Sequence, residues 1–447
     1  MKAWIGIWGV LCATALEAKV SAVEAARLKS ELTDVGAQRA GNEDGSIPAW
    51  EGGITKVPAG YHPAKHHVDP FPGDKVLYTV DQSNVDNYRE LLSPGQLAMI
   101  AKYKSYKLQV YPTRRSASFP ARVYQMTFEN ATRTSLLGHG SGVVDAAEGF
   151  PFPIPADAYE VIWNHKLKFK GVAARRHANQ VTPTAGGEFT PIMVVEQILG
   201  LYWKEGATLK DTNNVLAYYY QEVTAPPRLA GQMLLVHETL DQIAQPRQAW
   251  TYNPGQRRVR KTPNVAYDNP GQAADALRTN DMTDMFNGAL DRFDWKLVGK
   301  REMLIPYNCY KVHESGLTFE QIVRPGHINP DLMRYERHRV WVVEATLKKG
   351  LRHINARRTF YLDEDSWQIV LTDHYDAGGK LWRASEAALV NYYQVPLLWT
   401  TLEAHYDLRS GRYIASGLDN LDAPVDFAAP LTPENFTPQA LRVRGVR

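Results

Sequence analysis

Cysteine is almost missing from this chain: its 447 residues include two, Cys12 and Cys309. Cys12 lies in an apolar N-terminal stretch, so processing there would leave one thiol and no possible internal disulfide. Cys309, set between aromatics in "PYNCYKVH", reads as a packed residue rather than a reactive one. A surplus of one charge is missing too. With 51 Lys and Arg against 48 Asp and Glu the formal net charge is +3, which excludes the broad basic surface of a general nucleic-acid binder. Beyond the N-terminal stretch there is no run of about 18 apolar residues, so no membrane-spanning helix is expected. Internal repeats and low-complexity tracts are absent. So are the common catalytic patterns: no serine stands in a nucleophile elbow, and no helix offers a zinc-binding histidine pair.

Aromatic residues are what the chain has in quantity, with 23 Tyr, 11 Trp and 13 Phe. Tyr and Trp favour pleated, half-buried surfaces and line cavities, because each has an apolar body and a polar tip. Residues 1–22 read as a signal peptide. Lys2 supplies the positive start, Ala3 to Leu16 is largely apolar, and "VSA" ending at Ala22 fits a cleavage site, so export across a bacterial inner membrane is expected. Residues 23–82 read as an extended lead with a short helix at Glu24 to Leu32. Residues 83–400 read as the main domain with helical insertions, and 401–447 as a C-terminal extension whose last residues wander over the surface.

Within the main domain, Ser83 or Asn84 caps one predicted helix, and Ser93 with Pro94 opens another. From Leu108 the period turns to two, and "LQVYPTRRSASF" and "ARVYQMTFENATRTSL" are predicted strands. "DAYEVIWNHKLKFKG" is predicted helical with a strand-like end. Val215 to Asp241 reads as two strands joined by a proline loop. Farther on, Trp341, Val343, Ala345 and Leu347 share an apolar face. Arg357 to Leu389 reads as a three-stranded meander with turns "DEDS" and "DAGG" and with Trp367, Ile369 and Leu371 on one face. The economical fold class is α+β, with a large antiparallel sheet curved around an apolar interior. His62, His66 and His67 cluster in the lead without a metal-site pattern. Asp363 and Asp365 lack the other positions of a calcium loop, which leaves a solvated turn.

The densest charge falls in "AWTYNPGQRRVRKTP", where Arg257, Arg258, Arg260 and Lys261 follow Trp250 and Tyr252. Asn253, Pro254 and Gly255 make a turn, so the two aromatics end one strand and the cations begin the next. Alternation puts Arg258 and Arg260 on one face, with Arg257, Val259 and Lys261 on the other. Guanidinium groups suit carboxylates and phosphates. The cluster therefore either pairs with the acids of Asp268 to Trp295, or forms a cationic rim at a cavity mouth for an acidic headgroup or an acidic partner. Trp250, Tyr252, Trp295 and Trp341 are candidates for lining that cavity or filling the core.

Taken as strings, "AWTYNPGQRRVRKTPNVAYDNP", "DMFNGALDRFDWKLVGKREMLIPYN", "RYERHRVWVVEATLKKGLRHINARRTFYLDEDSW" and "YDAGGKLWR" resemble the bacterial family known as domain of unknown function 1329. "AGNEDGSIPAWEGG" extends that resemblance into the lead, so it covers nearly the whole mature chain. The family is similar to outer-membrane lipoprotein-sorting (Lol-type) carriers, which implies a curved antiparallel half-barrel with helices closing an apolar cavity. It also implies a periplasmic carrier of a lipid or other hydrophobic molecule, working with an inner-membrane transporter of the resistance–nodulation–division type and an outer-membrane protein. No cofactor or metal is expected, and the resemblance carries no catalytic residues. Two readings from other classes remain. A structural envelope protein that docks other proteins predicts a filled core and an apolar surface patch. An exported hydrolase predicts acid–base side chains inside the cavity.

Overall fold

The computed structural model describes residues 20–446 apart from 139, 264 and 266, so all but the end of the expected signal peptide lies outside the described residues. In chain order the strands of its two main sheets are β1 (Tyr78–Val80), β2 (Leu108–Val110), β3 (Ala173–His177), β4 (Asn179–Val181), β5 (Met193–Gly200) and β6 (Val215–Ala225). They continue with β7 (Met233–Thr239), β8 (Gln248–Asn253), β9 (Arg258–Thr262), β10 (Phe293–Pro306) and β11 (Tyr335–Leu347). The last are β12 (Arg357–Asp363), β13 (Ile369–Tyr375), β14 (Leu381–Asn391), β15 (Leu398–Asp407) and β16 (Tyr413–Leu418). The larger sheet runs β1-β2-β11-β12-β13-β14-β15-β16-β4, with β10 paired along β11. The smaller is an antiparallel sheet in the order β9-β8-β7-β6-β5-β3. Neither sheet closes on itself, and the fold is α+β with few helices.

Four helices matter for packing: α1 (Pro94–Lys102), α2 (Ala121–Arg133), α3 (Ala158–Leu167) and α4 (Pro438–Val446). Local chemistry explains α1. Ser93 Oγ accepts from the Gln96 amide, the Gln96 side chain accepts from the Ser93 amide, and Pro94 occupies the first helical position. Helix α3 buries every residue except Tyr159, as a helix inside a core must. The strands on both sides of the proline loop, β6 and β7, and the meander β12 to β14 form where their alternation predicts. Among the described residues no helix is long and apolar enough to cross a membrane.

Other expectations change. Residues 121–136, predicted as a strand, form α2 through Arg133. Its buried Val123, Thr127, Asn130 and Ala131 recur at helical spacing. Thr127 and Asn130 bind the backbone of Ala147 and Phe150, long-range contacts that an alternation count does not register. In the preceding predicted strand only Leu108–Val110 pairs. Trp367 lies in the turn at φ 60° rather than on β13; its buried ring stacks on Trp341 and its Nε1 donates to Val35.

The "DEDS" turn is not solvated. Asp363, Glu364 and Asp365 are buried. Arg115 donates to both oxygens of Asp365, at 2.8 and 2.6 Å, while Lys300 and Arg339 bind Glu364. Buried carboxylates demand such partners. At the C-terminus, the expected boundary at residue 400 falls inside β15, and β15 with β16 continues the larger sheet. The final residues do not wander either. Helix α4 covers the outer face of β7 to β9, where Leu441 is buried and the Gly445 carbonyl accepts from the Tyr252 hydroxyl at 2.6 Å.

Candidate functional site

A cavity of about 430 Å³ lies between the inner face of the smaller sheet and strands β15 and β16 of the larger. Small-molecule sites commonly span about 300–1,000 Å³. Register explains its wall, because partners across an antiparallel pair share a face. One row across the sheet reads Arg176, Glu196, Gln221, Leu234, Thr251 and Arg260. The neighbouring row reads Ile198, Tyr219, Val236, Ala249 and Thr262. The sheet thus offers an ionic end, an apolar middle and a cationic free edge. Trp399 of β15 faces it, with the Arg176 guanidinium 4.3 Å from its ring centre.

The polar groups of the wall are mostly matched. Arg176 Nε binds Glu196 at 2.8 Å, and the other Glu196 oxygen accepts from Tyr219 at 2.6 Å. Arg247 binds Glu238 at 2.8 Å and donates to the carbonyls of Val265 and Asn287. Asp284 sits between Lys168 and Lys170. Burial alone would raise its pKa, but the two ammonium groups outweigh burial and hold it far below the carboxylate range. Lys166, from α3, donates to the Gly288 carbonyl at 2.7 Å; burial, aided by the Arg247 charge, brings it down to about 7. Arg278 differs from all of these. One N–H reaches Thr283 Oγ1 at 3.0 Å, its buried Nε has no hydrogen-bond partner, and it forms no ion pair among the described residues. The apolar cavity expected from the sequence is therefore lined by apolar and charged groups together.

The arginines singled out by sequence do not pair with the nearby acids. Arg257, at the turn with φ 50°, Arg258 and Arg260 are exposed, and none forms an ion pair among the described residues. Among those acids, Asp281 binds Arg358 at 2.6 Å and His353 at 3.0 Å. Arg258 and Arg260 share the face of Asn253 and Thr251, both of which line the cavity. Trp250 and Tyr252 belong to the opposite face and pack beneath α4, although Tyr252 also reaches the cavity wall. Trp295 is half-buried and packs on the core against Phe286 and Phe360, with Nε1 donating to Leu290 at 2.9 Å. Trp341 packs with Trp367. Sequence reading missed Arg176, Glu196 and Trp399, which correct strand registers would expose, and Lys166 and Arg278, which only tertiary packing brings in.

One group among the described residues gathers metal-type ligands: atoms of His338, Asp363 and Asp365 lie within 4.8 Å of one another. Arg115 already neutralises Asp365 there, and His338 Nε2 lies 3.1 Å from Glu336. Of the lead histidines, His66 and His67 are buried and tied into the body, while His62 is exposed. His67 Nδ1 lies 3.2 Å from His313 Nε2, and His66 Nε2 lies 3.3 Å from Asp419. Burial pushes the Cys309 thiol up to about 12, as suits a packed rather than a reactive residue.

A family model described as a protein of unknown function, DUF1329, matches residues 79–442. An uncharacterised protein of Pseudomonas aeruginosa is 48% identical over 448 aligned positions, spanning 98% of this chain and 96% of that protein. Among solved structures, a DUF1329 family protein from Desulfovibrio piger is similar at TM-score 0.41 and 16% identity, over 61% of this chain and 92% of that one. A LolA superfamily protein from Nitrosomonas europaea is similar at TM-score 0.38 and 12% identity, over 63% of this chain and 98% of that one.

Proposed function

We propose a carrier role for this chain, which belongs to the DUF1329 family of proteins of unknown function: it holds a lipid or other hydrophobic molecule in the cavity between its two sheets. The observation that carries this reading is the cavity itself, about 430 Å³ with Ile198, Leu234, Val236 and Trp399 in its wall. Each methylene sheltered there gains about 0.8 kcal/mol over exposure to water. In this reading the N-terminal stretch directs export to the periplasm. The cargo passes between an inner-membrane transporter of the resistance–nodulation–division type and an outer-membrane protein, partners that rest on the family resemblance. Arg257, Arg258 and Arg260 form the cationic rim. Mass spectrometry of organic extracts from the native protein tests the proposal. A stoichiometric hydrophobic compound supports it, and a protein that stays empty after mild purification overturns it.

One observation favours a hydrolytic reading instead. Lys166 is buried in the wall and poised near neutrality, where a general base works best. Turnover of acyl esters by the wild-type protein, lost in Lys166→Met, would move the weight to that reading. The docking-protein reading predicts a core without a cavity, and the cavity between the two sheets supports the carrier reading over it.

A further inference from the structure

We propose that the cargo carries a single carboxylate headgroup and that Arg278 holds it; this rests on the carrier reading. The wall bears the fixed cations Lys170, Arg176, Arg247 and Arg278, with Lys166 brought down to about 7 by burial, against Glu196, Glu238, Asp284 and Glu403. Glu196, Glu238 and Asp284 already have basic partners. Glu403 lies 3.7 Å from His405 Nε2, and Arg278 is the guanidinium left without an ion pair among the described residues.

A guanidinium stays charged at any working pH and presents several donors in a fixed fork. Arg278 brings that fork to the cavity wall with one side-chain hydrogen bond, to Thr283, and no ion pair among the described residues. Its loop is fastened on both sides. The Gly271 amide donates to the Arg278 carbonyl at 2.9 Å, and Asp281, three residues on, is tied to Arg358 at 2.6 Å. The donor is thus held in place before any ligand arrives, which lowers the ordering cost of binding. Tyr219 and Val236 are cross-strand partners in the same cavity wall, so a chain attached to the headgroup has an apolar surface to lie on. A carboxylate brings one charge to the one guanidinium of the wall that has no ion pair among the described residues, whereas a phosphate monoester would bring up to about two.

The test is isothermal titration calorimetry of the delipidated full chain at pH 7.5 with decanoate and decan-1-ol, two probes that differ at the headgroup. Wild type is expected to bind decanoate roughly ten- to a hundred-fold more tightly than decanol, the range of a charge-assisted hydrogen bond. Arg278→Gln is expected to lose that preference. Arg278→Lys, which keeps the charge, should retain part of it. Equal binding of both probes by wild type overturns the headgroup assignment and leaves the carrier reading standing. So does a preference that survives in folded Arg278→Gln. Binding of neither probe by the folded wild type overturns both. If Arg278→Gln does not fold, Arg278→Lys carries the test: a decanoate preference equal to that of wild type there overturns the assignment.

Discussion

Thr251 and Arg260 stand opposite each other across the β8–β9 pair, and Thr251 lines the cavity. Arg260 is thereby placed on the cavity face at the free edge of the smaller sheet, where an exposed cation can steer a ligand before contact. Reversing Arg257, Arg258 and Arg260 to Glu should leave stability within about 0.5 kcal/mol, as for other surface changes. The association rate of decanoate should fall at low ionic strength, and the difference should shrink at high salt. Stopped-flow mixing at two salt concentrations measures both effects; rates equal to wild type would remove the rim from the mechanism.

Arg358 is buried beside Asp281, which also takes the His353 ring at 3.0 Å. Burial opposes charge on Asp281, but Arg358 outweighs it and holds the carboxyl far below its usual range. Arg358→Met should therefore cost about 3–5 kcal/mol, because it strands a buried carboxylate. Urea denaturation reads this directly. A loss under about 1 kcal/mol would show that the pair behaves as an exposed one.

Acid should loosen the lead. Burial lowers His67 to about 4 and His313 well below 6.5, with neighbouring histidines adding to the effect. In the unfolded chain each takes up a proton near pH 6.5; in the native state His67 does so only near 4. Stability is thus intact above about pH 6.5 and lost as the pH falls towards 4, by up to about 1.4 kcal/mol per pH unit for each such histidine. Denaturation midpoints at pH 7 and pH 5 should differ less in His67→Gln than in wild type. Equal pH dependence in the two would discharge His67 from this role.

Leu441, on α4, is buried against the outer face of the smaller sheet. Leu441→Ala should cost about 2 kcal/mol, the low end for a buried leucine, because one side of its site is a terminal helix that can settle inward. Hydrogen exchange should show the loss first in β7 to β9. Protection unchanged in those strands would mean that α4 does not support them.

Legibility in the sequence followed range. The α1 capping box spans Ser93 to Gln96, and the turn that separates Tyr252 from Arg258 spans a few residues. Each is set by bonds between near neighbours, so it can be read directly. Alternation likewise placed Arg258 and Arg260 on one face, because the strand period is a property of the backbone itself. The family was legible from long specific strings, and its match extends over residues 79–442.

Burial of charge was decided elsewhere. Asp363, Glu364 and Asp365 look like a wet turn until Arg115, 250 residues from Asp365, closes over them. Residues 121–136 alternate well enough for a strand, yet Thr127 and Asn130 find backbone partners only as a helix. The cavity wall combines strands of both sheets, the Lys166 side of α3 and the loop that carries Arg278. The sequence by itself determined the capped helix, the turns, the strand faces around them and the family, since caps, turns and periodicity act over a few residues. Only the tertiary structure decided which charges are matched and which guanidinium is left over, because desolvation and pairing depend on groups that folding alone brings together.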